Sequence, residues 1–127
     1  ATPVLVLGFV KSMPELMRTA DVVVTKAGPG SIGEALATCL PVILTSYLPG
    51  QETENVTFVI DGGFGRYASG AKQLRATIEL VADPASSLRA DLAAHAEKLS
   101  RPYASLDIAR ECIALAAGYH PSGQLSR

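Results

Sequence analysis

Three stretches of the chain gather residue types that could do chemistry. The richest is Lys26-Ala27-Gly28-Pro29-Gly30-Ser31, which continues through Ile32 to Gly33 and Glu34. Its Gly28-x-Gly30-x-x-Gly33 spacing lets the backbone approach a ligand closely. A helix opening there turns free N–H groups towards an anion such as a phosphate. A tight strand-to-helix turn needs glycine as well, so the spacing alone leaves both readings open. Glu34 is also two-sided. Ser31-x-x-Glu34 has the pattern of a capping box, in which the glutamate bonds its own helix start. A carboxylate just past a phosphate loop can instead accept hydrogen bonds from ribose hydroxyls.

The second stretch is Pro49-Gly50-Gln51-Glu52 with Asn55. Pro-Gly makes an ordinary turn, and Glu52 suits the first turn of a helix. Yet Gln51, Glu52 and Asn55 also cluster polar groups of the kind that suits a sugar, rich in hydroxyls and poor in charge. The third stretch is Gly8-Phe9-Val10, at the end of an apolar run. A dinucleotide fold expects a carboxylate about 20 residues after its glycine loop, at the end of the next strand, to hold a ribose. That strand ends in Ser46-Tyr47, and Glu52 belongs to the loop or helix beyond. NAD is therefore the weaker expectation.

Ligands of an open parallel sheet bind beyond the carboxyl ends of its strands, so these stretches need strands before them and helices behind them. The continuous apolar run Val4-Leu5-Val6-Leu7 reads as a first strand. Ser12-x-Pro14-Glu15 reads as a capping box opening a helix. Strands follow at Asp21–Thr25, Pro41–Thr45 and Gly65–Ala68. Helices are expected over Ser31–Cys39, over Gln51–Ile60 with a stop at Gly62-Gly63, and over Gly70–Ala82. The last third is helical, with one stripe at Leu88, Leu92, Ala96 and Leu99 and a second at Ile108, Cys112 and Leu115, both read as core. The expected fold class is α/β, a Rossmann-like parallel sheet with helices on both faces, over residues 1–118, with a polar tail over 119–127.

The 127 residues are 48% hydrophobic and 18% charged with a formal net charge of −1. That balance suits one folded domain and argues against a disordered chain or a general nucleic-acid binder. No apolar run approaches the ~20 residues of a membrane span, and no signal peptide is evident. Cys39 and Cys112 read as small apolar residues packed on helices, and His95 and His120 as solvated surface groups. No spacing of Cys and His suggests a metal site.

Taken together, DVVVTKAGPGSIGEAL and LPVILTSYLPGQETENVTFVIDGGFG resemble the C-terminal domain of monogalactosyldiacylglycerol synthases. That family is related to the bacterial lipid-II-forming N-acetylglucosaminyltransferase. The likeness runs from Val4 to Leu115. It implies the donor-binding domain of a two-domain GT-B glycosyltransferase, lacking its first strands and its N-terminal domain. By position it implies that Phe9 and Val10 flank the uracil ring, and that Gly28, Pro29, Gly30 and Ser31 hold the diphosphate. Glu34 would hold the ribose, and Gln51 and Glu52 would read the sugar, with Asn55 one turn onward. Lys26 either adds positive charge beside the phosphate loop or is a surface lysine.

The reaction implied is inverting transfer of galactose from UDP-galactose to diacylglycerol. The resemblance implies no cofactor and no metal, and neither the catalytic base nor the acceptor site falls in this chain. It implies peripheral membrane contact at the plastid envelope, or at the cytoplasmic face of a bacterial membrane. No nucleic-acid partner is expected, and exposed sheet edges invite self-association. Two alternatives stay open: a bacterial glycolipid or peptidoglycan-precursor enzyme using another sugar, and a non-catalytic nucleotide-binding module.

Overall fold

The computed structural model describes residues 3–118. Three short strands, β1 (Val23–Thr25), β2 (Val42–Leu44) and β3 (Gly65–Tyr67), form a parallel sheet in the order β1-β2-β3. Val23, Val24 and Thr25 pair with Val42, Ile43 and Leu44, which pair in turn with Gly65, Arg66 and Tyr67. Six helices surround them: α1 (Met13–Thr19), α2 (Pro29–Ala37), α3 (Thr53–Asp61), α4 (Ala71–Ala82), α5 (Leu88–Leu99) and α6 (Ala104–Ala116). Sequential parallel strands joined by helices are the arrangement of one half of a doubly wound sheet.

The middle strand shows why the sheet needs cover on both faces. Val42, Ile43 and Leu44 are all fully buried, and successive strand side chains point to opposite faces. Val42 and Leu44 pack with Met17 of α1, Ile32 and Ala35 of α2, Val59 of α3, and Phe64. Ile43 packs on the other face with Val81 of α4 and Leu92 of α5, alongside Ala68. The expected α/β sheet with helices on both faces is therefore present.

Several local expectations need correction. Val4–Leu7 forms no strand: Val4, Leu5 and Val6 are 86%, 81% and 87% exposed. An apolar run becomes a strand only where a neighbour accepts its ladder and a helix covers it, and among the described residues this one has neither. Ser12 does precede α1, but its side chain caps nothing; its carbonyl accepts the Glu15 and Leu16 N–H groups instead. α2 starts at Pro29 rather than Ser31, because proline at the first helical position sacrifices no hydrogen bond. Ser31 thus lies inside the helix, and no side chain caps its start, so the capping-box reading of Glu34 fails.

α2 ends in a Schellman turn: Leu40 N–H bonds Ala35 O, and Cys39 N–H bonds Leu36 O. Cys39 takes the left-handed position with φ 55°. It packs against the core from this turn, not from a helix. Cys112 is exposed on α6. α3 stops where expected, with Gly62 as its cap and Gly63 at φ +72°. The first C-terminal stripe buries Leu92 and Ala96 and packs Leu88, but Leu99 stays 40% exposed. The second stripe is not core: Ile108 and Leu115 are 63% and 51% exposed, and α6 buries no residue. His95 is exposed as expected, its Nδ1 2.7 Å from Asp91 O. His120 and the tail expected over 119–127 lie outside the described residues.

Candidate functional site

Two returns at the carboxyl edge of the sheet, residues 26–28 after β1 and 45–52 after β2, are tied together. The ladder runs on past β1 and β2, with Thr45 N–H donating to Thr25 O at 2.9 Å and Ala27 N–H to Ser46 O at 2.8 Å. The chain then turns sharply. Gly28 N–H donates back to Lys26 O at 2.8 Å, and Gly28 becomes the N-cap of α2 with φ −75° and ψ 132°. A first helical turn has no intrahelical acceptors for its N–H groups, which leaves the Gly30 and Ser31 amides at this edge. Pro29 and Gly30 are exposed, and Gly28 and Ser31 are half-buried.

The return after β2 folds back on this turn. Asn55 Nδ2, on the first turn of α3, donates to Ala27 O at 2.9 Å. Glu52, the N-cap of α3, is only 6% exposed. Its Oε1 pairs with Lys26 Nζ, and its Oε2 accepts the Leu48 N–H at 2.9 Å. The Lys26 ammonium, and next the Leu48 amide, hold the Glu52 carboxyl below the ordinary glutamate range. Glu52 and Asn55, expected to face a sugar, thus reach the segment before α2 through Glu52 Oε1 and Asn55 Nδ2, while Glu52 Oε2 stays within its own return. The neighbouring Gln51 is exposed.

The remaining candidates lie differently. Glu34 is exposed on the second turn of α2, and its carboxylate bonds no other group among the described residues. Phe9 is 94% exposed and Val10 half-buried, both outside any helix or strand. Among the described residues, no side-chain hydrogen bond ties Phe9, Val10, Glu34 or Gln51 to the Lys26–Glu52–Asn55 cluster, and no group of three or more His, Cys, Asp or Glu could hold a metal ion.

Two contacts at this edge were not expected from the sequence. Lys26 was expected either to add charge beside the phosphate loop or to be a surface lysine, and its pairing with Glu52, 26 positions away, was not foreseen. Tyr47 and Tyr67, which follow or end β2 and β3, meet edge-to-face with centroids 6.0 Å apart. Aromatic residues at the ends of two consecutive strands were the signal for that pair.

Known proteins resemble this chain in sequence and in fold. The model of the "Glycosyltransferase family 28 C-terminal domain" matches residues 2–101. Monogalactosyldiacylglycerol synthase 3, chloroplastic, of Arabidopsis thaliana is 43% identical over 112 residues, covering 86% of this chain and 23% of the relative. The monogalactosyldiacylglycerol synthase of Spinacia oleracea, also chloroplastic, is 38% identical over 109 residues, covering 86% of this chain and 21% of its own length. The crystal structure of the glycotransferase of kitacinnamycin aligns with a TM-score of 0.51 at 28% identity, over 79% of this chain and 28% of that one. The chain spans about a fifth to a quarter of the curated relatives it matches. A family match over residues 2–101, on the parallel α/β sheet described above, shows that this chain belongs to the glycosyltransferase family 28 C-terminal domains.

Proposed function

We propose that this chain is the UDP-sugar-binding part of an inverting glycosyltransferase that moves galactose from UDP-galactose to diacylglycerol. The observation that carries the reading is the turn before α2. Its amides open a helix at the carboxyl edge of the sheet, and Asn55 anchors it to the next return at 2.9 Å. Such a turn suits a diphosphate, which needs several N–H donors and the positive end of a helix dipole. The similarity to monogalactosyldiacylglycerol synthases supports the choice of donor and acceptor.

In this reading Gly28, Pro29, Gly30 and Ser31 cradle the diphosphate, and Glu34 on the outer face of α2 accepts the ribose hydroxyls. Gln51 reads sugar hydroxyls from the return that Glu52 and Asn55 hold in place, and Phe9 and Val10 flank the uracil ring. An acceptor hydroxyl, deprotonated by a base, attacks the anomeric carbon while UDP departs from the opposite face. The bond to the acceptor oxygen forms as the bond to the diphosphate oxygen breaks, and the configuration inverts. Donors aimed at the departing diphosphate lower that barrier, because they meet negative charge where it develops. No metal takes part in the reading. The chain spans less than a third of its relatives' length, and in this reading the acceptor site, the base and membrane contact belong to another part of such an enzyme. The chloroplastic setting of those relatives supports a plastid location.

Calorimetric titration with UDP, UDP-galactose, UDP-glucose and NAD tests the donor assignment. UDP and UDP-galactose should bind and NAD barely, since β2 runs out into Ser46-Tyr47 with no carboxylate for a dinucleotide ribose. NAD binding more tightly than UDP would sink the reading.

A further inference from the structure

One ion pair lies against the turn of α2, and none of the ligand contacts above accounts for it. Glu52 is the only charged or polar residue found buried among the described residues, at 6% exposure. A buried carboxylate demands partners, and both of its oxygens have one, in Lys26 Nζ and the Leu48 N–H. The Lys26 side chain, in contrast, is 57% exposed. Its Nζ lies 3.3 Å from where a Cβ on Gly28 would stand, and Glu52 Oε1 lies 4.0 Å from the same point. The ammonium is therefore anchored on one side by Glu52 and open on the other, directly beside the turn whose amides begin α2. An ammonium carries three N–H donors, so the pair with Glu52 leaves it donors to spare. Asn55 fixes the other side of the turn through Ala27 O.

We propose that Lys26 is an anion-binding residue of the donor site, a fixed cation beside Gly28, with Glu52 and Asn55 as the positioning residues that hold it and its turn. A lysine normally loses rotamer freedom when it binds a ligand. Here the buried carboxylate has already taken that freedom away, so the charge waits in place for the phosphates. The arrangement also gives Gly28 a second reason to be glycine, since a side chain there would crowd the ammonium. The proposal rests on the donor reading for the identity of the anion as the diphosphate of a nucleotide sugar.

The test titrates UDP and inorganic pyrophosphate into the full chain, at several salt concentrations, for wild type and three variants. Lys26→Met should weaken UDP binding roughly tenfold to a hundredfold, the loss expected for a charged hydrogen bond. The salt dependence should flatten too, because one phosphate-facing charge is gone. Lys26→Arg should bind within a few-fold of wild type. Lys26→Met strands a buried carboxylate and so threatens the fold. The double variant Lys26→Met/Glu52→Gln removes that charge while keeping an acceptor for Leu48, and it should unfold near the wild-type temperature yet bind UDP as weakly as the single variant. Unchanged UDP affinity and salt slope in a folded Lys26→Met or double variant overturn the assignment of Lys26 and leave the donor reading standing. Wild-type protein that binds pyrophosphate through Lys26 but not UDP overturns the donor reading and leaves Lys26 assigned. Wild-type protein that binds neither overturns both.

Discussion

Glu34 shows how one residue's role is decided by where its helix begins. With Ser31 as the N-cap of α2, Glu34 would close a capping box; because α2 starts at Pro29, Glu34 stands exposed on the surface. A capping glutamate tolerates Gln, whereas a ribose ligand loses its charge. Glu34→Gln should therefore leave thermal unfolding unchanged and weaken UDP binding roughly tenfold to a hundredfold. Unchanged UDP affinity in calorimetry removes Glu34 from the site. Glu52 answers to pH instead. Its carboxyl is held below the ordinary glutamate range, first by Lys26 and then by the Leu48 amide. A depressed folded value adds stability that is fully present above the unfolded value and is lost as pH falls through the folded one. The gap in urea midpoint between wild type and Glu52→Gln should thus stay level near neutral pH and close only in acid, below the ordinary glutamate range. A gap independent of pH down to acid denaturation would contradict the ion pair. Of these roles, the residue types and the turn were legible in the sequence. The reach of Glu52 to Lys26 and of Asn55 to Ala27 was not, because those contacts join positions 26 and 28 apart.

At the scale of elements, strands and helices with both a pattern and a neighbour were legible, and those with a pattern alone were not. Val42–Leu44 is apolar throughout and sits between two strands, and it forms. Val4–Leu7 is just as apolar, meets no neighbouring strand among the described residues, and does not. The stripe on α6 fails as core for the same reason, since nothing among the described residues covers it. Glycine positions separate local propensity from packing. Gly33 lies inside α2 with open space where a Cβ would stand. Gly33→Ala should stabilise the fold by about 1 kcal/mol, the usual helix penalty of glycine. Gly65 in β3 is the opposite case, since a Cβ there would stand 2.5 Å from Val42 O. Gly65→Ala should destabilise by about 1–3 kcal/mol, the cost of overpacking. Chemical denaturation of both variants decides: equal shifts of the same sign would mean that strand packing plays no part.

The whole molecule presents more apolar surface than its core can absorb. Val4, Leu5, Val6 and Phe9 are each more than 80% exposed, and Leu106, Ile108, Ile113 and Leu115 on α6 are each more than half exposed. Among the described residues β1 pairs only with β2, so its other edge carries unpaired N–H and C=O groups next to a partly exposed Val24. An unpaired edge together with an uncovered apolar run is the combination that draws a second chain, because one supplies hydrogen bonds and the other supplies burial. The chain should therefore associate reversibly as its concentration rises. Sedimentation velocity should show the weight-average mass climbing with concentration. Leu5→Lys with Val6→Lys should suppress that rise while leaving the unfolding temperature unchanged, because neither side chain contributes to the core. A monodisperse monomer at high concentration would defeat this expectation. Association that survives both substitutions would shift the contact from the Val4–Leu7 run to α6, where Ile108→Lys and Ile113→Lys provide the corresponding test.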